Sequence, residues 1–197
     1  MRLGIIGAGQ LAQAVARVVA ASGHSVVLSN SRGPSSLASV VGRLGPHVLA
    51  GTTIRAAAEE TVVLAVPSGA VPDALRGLPE WDGRTLVDAT NDLHAPALLP
   101  GVLSSSEIVA ELVTGAHVVK AFNTLPAAVL ASTPSPAPGV RRVQFVCGDD
   151  VPSKGTFRGF LEDLGFSTVD LGGLAEGSRL QQIPGGALAA LNLLHVL

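Results

Sequence analysis

Aromatic and charged side chains are scarce in this chain of 197 residues. It has no tyrosine, one tryptophan and five phenylalanines, and only 14% of its residues are charged, with a net charge of −2. Proteins that bind nucleic acid use a basic surface against the phosphates and flat side chains against the bases. This composition offers neither, so we predict no nucleic-acid partner.

Cysteine is represented by Cys147 alone. A single cysteine cannot form an internal disulfide, and no group of cysteine and histidine residues has the spacing of a zinc site. We therefore expect no bound metal and a location in the cytoplasm. Cys147 ends an apolar run, "VQFVC", and we interpret it as a small apolar filler of the core.

Long uninterrupted hydrophobic runs are also absent. The longest uncharged stretches, residues 121–140 and 180–197, are broken by prolines and glycines. A helix that crosses a bilayer needs about 20 consecutive apolar residues. The apolar run after Met1 is too short for a signal peptide and continues into a better-explained motif. We predict no membrane association.

Apolar residues nevertheless make up 47% of the chain, in short runs rich in Val, Ile and Leu that alternate with Ala-rich stretches of helical length. This alternation is typical of a parallel sheet covered by helices. We predict an α/β fold with a doubly wound parallel sheet of the Rossmann type, in a single domain over residues 1–197 with added C-terminal strands and helices. The predicted strands lie near residues 2–6, 25–29, 47–50, 61–66, 84–88, 116–121, 142–147 and 166–170. The predicted helices lie near residues 9–22, 35–44, 52–58, 69–76, 104–113, 151–164 and 186–196.

A glycine-rich motif, "GAGQLA", follows the first predicted strand. Gly7, Gly9 and Ala12 fit the pattern G-x-G-x-x-A, in which the first glycine permits a tight turn and the second lets the backbone approach a pyrophosphate. The small Ala12 lets the following helix pack on the strand. The N-terminus of that helix offers unpaired N–H groups to the phosphates. The motif predicts a dinucleotide site.

The second predicted strand ends in "SNSRGP". Chains that bind NAD carry an acidic residue near this position for the ribose hydroxyls, whereas this chain has Asn30, Ser31 and Arg32. A guanidinium binds a 2′-phosphate and stacks on adenine, and an amide and a hydroxyl add neutral hydrogen bonds. The cluster therefore predicts NADP. The alternative is a solvated arginine in a turn made by Gly33 and Pro34.

Three ionisable residues near later strand ends leave alternatives open. Asp88 is better explained as an orienting or capping carboxylate than as a catalytic acid, because no second ionisable partner follows at a telling spacing. His94 is a loop histidine rather than a proton donor in our interpretation. Lys120 pairs with a phosphate or carboxylate, or reaches solvent at the sheet edge. We assign no catalytic side chain.

The same strand ends carry small and amide residues that suit a nicotinamide. Pro67 follows one strand, and Asn91 follows another, where its amide fits the donor and acceptor of the carboxamide. The small residues Ala65, Ala89 and Thr124 leave room for two flat rings in contact. These positions predict a site where cofactors carry out the chemistry and the protein orients them.

Several segments together resemble the deazaflavin-dependent NADP reductases, which transfer hydride between NADP and coenzyme F420. The segments "IGAGQLA", "SNSRGP", "SSSEIVAELV", "HVVKAFNTLPA", "VCGDD", "LGF" and "SRL" arrive in that family's order over nearly the whole chain. The resemblance implies pyrophosphate contacts from Gly9, Gln10 and Leu11, and 2′-phosphate contacts from Ser31 and Arg32. It also implies that the nicotinamide lies near Val66, Pro67, Ala89 and Asn91, and the deazaflavin near Thr124, Leu125 and Pro126. Where family members continue with basic residues, this chain has Pro34-Ser35-Ser36.

These observations lead to one expected function with alternatives. We expect an NADP-dependent oxidoreductase that transfers hydride between NADPH and a small-molecule, flavin-like acceptor, with coenzyme F420 first. The alternatives are an NADPH-dependent flavin or ferric reductase and a non-catalytic NADP-binding redox sensor. The terminal "ALAALNLLHVL" is apolar on most helical faces, which predicts a homodimer. The alternative is a helix that covers its own sheet.

Overall fold

The computed structural model describes residues 1–92 and 102–197. Within those ranges, one sheet has the strand order β3-β2-β1-β4-β5-β6-β7-β8, and β9 pairs with β7. The strands from β3 to β6 are parallel, whereas β7 runs antiparallel to β6 and parallel to β8. The predicted Rossmann-type sheet is confirmed. The strands are β1 (Arg2–Ile6), β2 (Ser25–Ser29), β3 (Val48–Ala50), β4 (Thr61–Leu64), β5 (Thr85–Asp88), β6 (His117–Lys120), β7 (Val140–Gly148), β8 (Ser167–Asp170) and β9 (Leu194–Val196).

Helices cover both faces of the sheet. They are α1 (Gln10–Ala21), α2 (Ala38–Leu44), α3 (Thr53–Ala57), α4 (Val71–Leu75), α5 (Ser105–Leu112), α6 (Ala127–Leu130), α7 (Val151–Asp163) and α8 (Leu174–Gln181), with 3₁₀ turns at Pro34–Leu37 and Ser68–Ala70. In α1, the buried side chains of Ala12, Val15 and Val19 recur at helical spacing and join one of two apolar clusters. A capping box between Ser104 and Glu107 fixes the start of α5. None of the helices in the described ranges is both long and apolar enough to cross a membrane.

The chain changes direction in the sheet between β1 and β4. From β1 it proceeds to β2 and β3 on one side, and then crosses to β4, β5 and β6 on the other. Such a switch point opens a crevice at the carboxyl ends of the strands, because the flanking connections diverge there. The candidate residues after β1, β2, β4 and β5 therefore meet at one edge of the sheet.

The C-terminal segment differs from the prediction. The expected helix over 186–196 is wrong: Leu194–Val196 form β9, which pairs antiparallel with Val140–Arg142 at the start of β7. Because β7 runs antiparallel to β6, its first residues extend past the end of β6, and β9 supplies their hydrogen bonds. A segment that is apolar on all helical faces can form either a helix or a strand, and here the pairing with β7 determines that it forms a strand. The sequence also missed α6 and α8.

Candidate functional site

A cavity of about 600 Å³ lies at the switch point. It is bounded by the segments that follow β1, β2 and β4, and by α3 and α4 on the far side. Seven of the predicted site residues line it, namely Gly7, Gly9, Asn30, Ser31, Ala65, Val66 and Pro67. The volume falls within the range of small-molecule and cofactor sites. The structure therefore brings the motif after β1 and the motif after β2 to one groove.

Gly7 is required by the protein itself. Its φ angle is +117°, and a Cβ atom there would lie 2.1 Å from the carbonyl oxygen of Ala65. Its N–H donates to the carbonyl of Ser29 at 3.0 Å. Gly7 thus joins the ends of β1, β2 and β4 in one tight turn.

Gly9 has a different reason to lack a side chain. No atom of the residues that the structure describes lies within 4 Å of the position that its Cβ would occupy, and its φ of −70° suits any residue. It is the N-cap of α1, and no side chain caps the N–H groups of the first turn, which begins with Gln10 and Leu11. The open space beside these donors fits a pyrophosphate, which a helix N-terminus and its free N–H groups attract.

The loop after β2 is shaped by the side chain of Asn30. Its Oδ1 accepts from the backbone N–H of Arg32 at 3.0 Å, and its Nδ2 donates to Ser36 Oγ at 3.0 Å. Ser36 Oγ in turn donates to the carbonyl of Gly33 at 2.7 Å. Asn30 therefore uses most of its hydrogen-bonding groups to hold the loop that carries Arg32. Ser36 shares this role, and the sequence did not suggest it.

Arg32 is exposed beside the cavity. Among the ion pairs of the described residues none includes this guanidinium. A cation without a carboxylate partner, at the end of the second strand, is the arrangement that a 2′-phosphate needs. The adjoining Ser31 lines the cavity.

The predicted nicotinamide side is more enclosed than the adenosine side. Ala89 and Thr124 are only 2% and 1% exposed, so the structure does not bring them to the surface of the cavity. Leu125 is likewise buried, whereas Pro126 is exposed. His94 lies outside the described residues.

Asn91 links three segments of the chain. Its Nδ2 donates to the carbonyl of Asn123 at 2.8 Å, and its Oδ1 accepts from Asn123 Nδ2 at 2.9 Å and from the backbone N–H of Ile183 at 3.3 Å. Asn123 Nδ2 also donates to the carbonyl of Gln181. Asn91 and Asn123 thus hold the end of α8 against the sheet, and one amide proton of Asn91 takes part in none of these bonds.

Asp88 and Lys120 form a buried ion pair where β5 and β6 end side by side. Both side chains are 0% exposed, and Lys120 Nζ lies 3.1 Å from Asp88 Oδ2. Burial raises the pKa of Asp88, but the Lys120 ammonium and the hydrogen bonds from Ser106 and Thr90 outweigh it and hold the pKa below its ordinary value. Of the two alternatives for Lys120, the carboxylate partner is right and solvent exposure is wrong.

Cys147 lies beside this pair, opposite Lys120 in the register of β6 and β7. Its thiol is fully buried and accepts a hydrogen bond from Gln181 Nε2 at 3.3 Å. Burial raises the pKa of the thiol to about 12. A neutral, enclosed thiol is a packing group rather than a nucleophile. Among the described residues, no group of three or more His, Cys, Asp and Glu side chains could hold a metal ion.

Comparison with known proteins agrees with this geometry. The sequence profile of the family NADP oxidoreductase coenzyme F420-dependent matches residues 2–92, which contain the glycine motif, the loop with Arg32 and the segment after β5. The resemblance predicted from the sequence is confirmed. The chain is 30% identical over 183 residues to the metalloreductase STEAP3 of Rattus norvegicus, covering 93% of this chain and 36% of the rat protein. The chain thus spans about a third of that relative's length.

Solved structures share the fold over most of the chain. A hypothetical protein from Sinorhizobium meliloti is 44% identical, with a TM-score of 0.90 over 99% of this chain and 96% of that one. A protein from Arthrobacter sp. FB24, for which an F420-dependent NADP reductase activity is proposed, is 26% identical, with a TM-score of 0.72 over 88% and 86%. A reductive aminase from Aspergillus terreus in complex with NADPH, at 20% identity, shares the fold with a TM-score of 0.66 over 91% of this chain and 57% of that one.

Proposed function

We propose that this chain, whose residues 2–92 match the family of NADP oxidoreductases described as coenzyme F420-dependent, transfers hydride between NADPH and a flavin-like acceptor, coenzyme F420 first. The observation that supports this most is the pairing of two features in one groove. Among the described residues, no atom fills the space beside Gly9 at the N-terminus of α1, and Arg32, which joins none of the ion pairs, would hold the 2′-phosphate. A protein that bound only NAD would have no use for that cation.

The residues of the site would bind and orient rather than react. NADPH, when bound, supplies the hydride, and one proton from water completes the reduction of the acceptor. The first turn of α1 would hold the pyrophosphate, and the loop after β2 would hold the 2′-phosphate. Asp88 is buried and already accepts four hydrogen bonds from Thr90, Ser106 and Lys120, so it is not available to donate or remove a proton at the crevice.

The similarity to the rat metalloreductase supports a second candidate for the acceptor. A metalloreductase is 30% identical over 93% of this chain, which favours an NADPH-dependent flavin or ferric reductase as the second candidate. The third candidate, a redox sensor, would bind NADPH through the same groove without oxidising it.

Oxidation of NADPH in the presence of different acceptors distinguishes the three candidate functions. We expect the purified protein to oxidise NADPH when coenzyme F420 is added, as followed by the loss of reduced-nicotinamide absorbance and the bleaching of the deazaflavin. NADPH that carries deuterium on one face of the nicotinamide should pass the label to the deazaflavin, whereas label on the other face should stay behind.

Other results would point elsewhere. Oxidation only with FMN, or with FMN and a ferric chelate, would replace the deazaflavin by the second candidate. Tight NADPH binding without oxidation by any of these acceptors would identify a sensor. Label transferred from both faces would contradict a site that holds the nicotinamide in one orientation.

We also propose a homodimer, now through β9 rather than a terminal helix. Leu194 is 52% exposed and Val196 is 74% exposed, and the strand pairs with the start of β7. Exposed apolar residues on a strand invite pairing with a second copy. Light scattering at micromolar concentration should give about twice the chain mass of 19.8 kDa, and Val196→Lys should lower it. A monomeric parent protein would contradict the proposal.

A further inference from the structure

We propose that Asp88 and Lys120 are positioning residues that fix the segment Ala89–Asn91, and thereby the orientation of the nicotinamide half of the coenzyme. The inference rests on the proposed function, because it assigns a task to a buried pair that the hydride transfer itself does not use. Neither side chain reaches the crevice, since both are fully buried. They act through Thr90.

The contacts of the pair converge on one residue. Asp88 Oδ1 accepts from the backbone N–H of Thr90 at 2.9 Å and from its hydroxyl at 2.7 Å. Lys120 Nζ donates to the carbonyl oxygen of Thr90 at 3.0 Å. The backbone N–H, the backbone carbonyl and the side chain of Thr90 are thus all held by two charged groups.

The rest of the network closes around the same pair. Asp88 Oδ2 accepts from Ser106 Oγ at 2.5 Å and from Lys120 Nζ at 3.1 Å, so α5 is tied to the ends of β5 and β6. Thr90 precedes Asn91, whose amide holds Asn123 and the backbone of Ile183. The loop after β5 is therefore fixed at two consecutive residues.

The chemistry of the pair favours a task beyond stability. A buried ion pair is costly to desolvate, and apolar side chains of similar size at the ends of two central strands would stabilise the sheet at least as well. What apolar side chains could not do is bind the N–H and the carbonyl of the loop that follows. The ion pair therefore contributes less to stability than apolar side chains would, but it holds the backbone beside the predicted nicotinamide site in one conformation.

The test uses a neutral pair, Asp88→Asn with Lys120→Met, which leaves no uncompensated charge in the core. We expect the affinity for 2′,5′-ADP, which has only the adenosine half, to change less than about twofold. We expect the affinity for NADP relative to 2′,5′-ADP to fall by about fivefold, because the nicotinamide half loses its fixed contact surface. In turnover with deuterated NADPH, label should begin to pass from both faces.

The chain offers a matched control beside β8, the last strand in the order of the sheet. Lys154 is nearly buried, and its Nζ lies 2.9 Å from Asp170 and donates to the carbonyl of Gly172 at 2.9 Å. Because β8 is the last strand in the order of the sheet, whereas the cavity lies at the ends of β1, β2 and β4, these groups lie away from the crevice. Lys154→Met with Asp170→Asn repeats the chemistry and should leave the NADP to 2′,5′-ADP affinity ratio and the labelled face unchanged.

A milder variant covers the case in which the neutral pair does not fold. Thr90→Val keeps the ion pair and removes the hydroxyl bond, and should shift the affinity ratio in the same direction by about twofold. An unchanged ratio in the folded variants, or an equal change in the control, would overturn the inference. Absence of NADP binding by the parent protein would instead refute the proposed function, and the inference with it. If the protein binds NADP but does not turn over, the ratio of the NADP affinity to the 2′,5′-ADP affinity still tests the inference.

Discussion

Arg32→Ala is expected to weaken NADPH binding by more than tenfold and to leave NADH binding nearly unchanged. Hydrogen bonds to a charged group contribute about 1.5–3 kcal/mol, which corresponds to roughly 10-fold to 150-fold in affinity. NADH lacks the 2′-phosphate, so it loses nothing when the guanidinium is removed. Titration of both coenzymes by calorimetry or fluorescence measures the two constants directly.

Arg43→Ala is the matched control for this prediction. Arg43 is exposed in the last turn of α2, outside the loop after β2 that carries Arg32, so its removal changes the net charge by the same amount without altering that loop. We expect its NADPH affinity to stay near the parent value. Equal losses for NADPH and NADH, or equal losses from the two arginine variants, would show that Arg32 does not hold the phosphate.

The parallel part of the fold was predictable because its signal is local. Each of β1 to β6 is a short apolar run, and buried parallel strands have that pattern whatever their neighbours are. The C-terminal strand was not predictable for the opposite reason. Leu194–Val196 gain their conformation from Val140–Arg142, more than 50 positions earlier, and nothing within "LNLLHVL" records that partner.

The candidate site likewise contains residues that the sequence could suggest and a contact that it could not. Gly7, Gly9 and Arg32 were recognisable because a turn angle, a close approach and a missing acid are properties of single positions. The partner of Lys120 was not, because it depends on which strand lies beside β6. The register places Asp88 opposite Lys120, and both are the last residues of their strands. Asp88, which ends one predicted strand, and Lys120, one residue before the end of another, are the signal that could have suggested the pair.

The hydrogen bonds of the two asparagine side chains, Asn30 and Asn91, were hardest to predict from the sequence. Asn91 looked like a group free to bind the coenzyme, yet its amide oxygen is taken by Asn123 and Ile183. Asn30 looked like a phosphate ligand, yet it shapes the loop through Ser36. An amide side chain near a ligand site can serve the ligand, the loop or both, and the surrounding donors and acceptors decide which.

The two glycines of the first motif should separate stability from binding when each is replaced by alanine. Gly7→Ala places a Cβ 2.1 Å from the Ala65 carbonyl oxygen and forces a φ of +117° on a residue that avoids it. We expect the free energy of unfolding to fall by roughly 2–5 kcal/mol, the sum of an overpacking cost and a left-handed backbone cost. Denaturant titration of the coenzyme-free protein measures this loss.

Gly9→Ala should behave in the opposite way. Its Cβ would meet no atom of residues 1–92 and 102–197 within 4 Å, and its φ is ordinary. The loss of stability should therefore stay near or below about 1 kcal/mol, the usual cost of alanine at an N-cap. The methyl group would occupy the space that the pyrophosphate needs, so we expect NADPH affinity to fall at least tenfold, and NADH affinity to fall with it, because both coenzymes share that group. This joint loss distinguishes Gly9→Ala from Arg32→Ala, which affects NADPH alone. Unchanged affinity for both coenzymes in a stable Gly9→Ala protein would mean that the pyrophosphate does not lie at the N-terminus of α1.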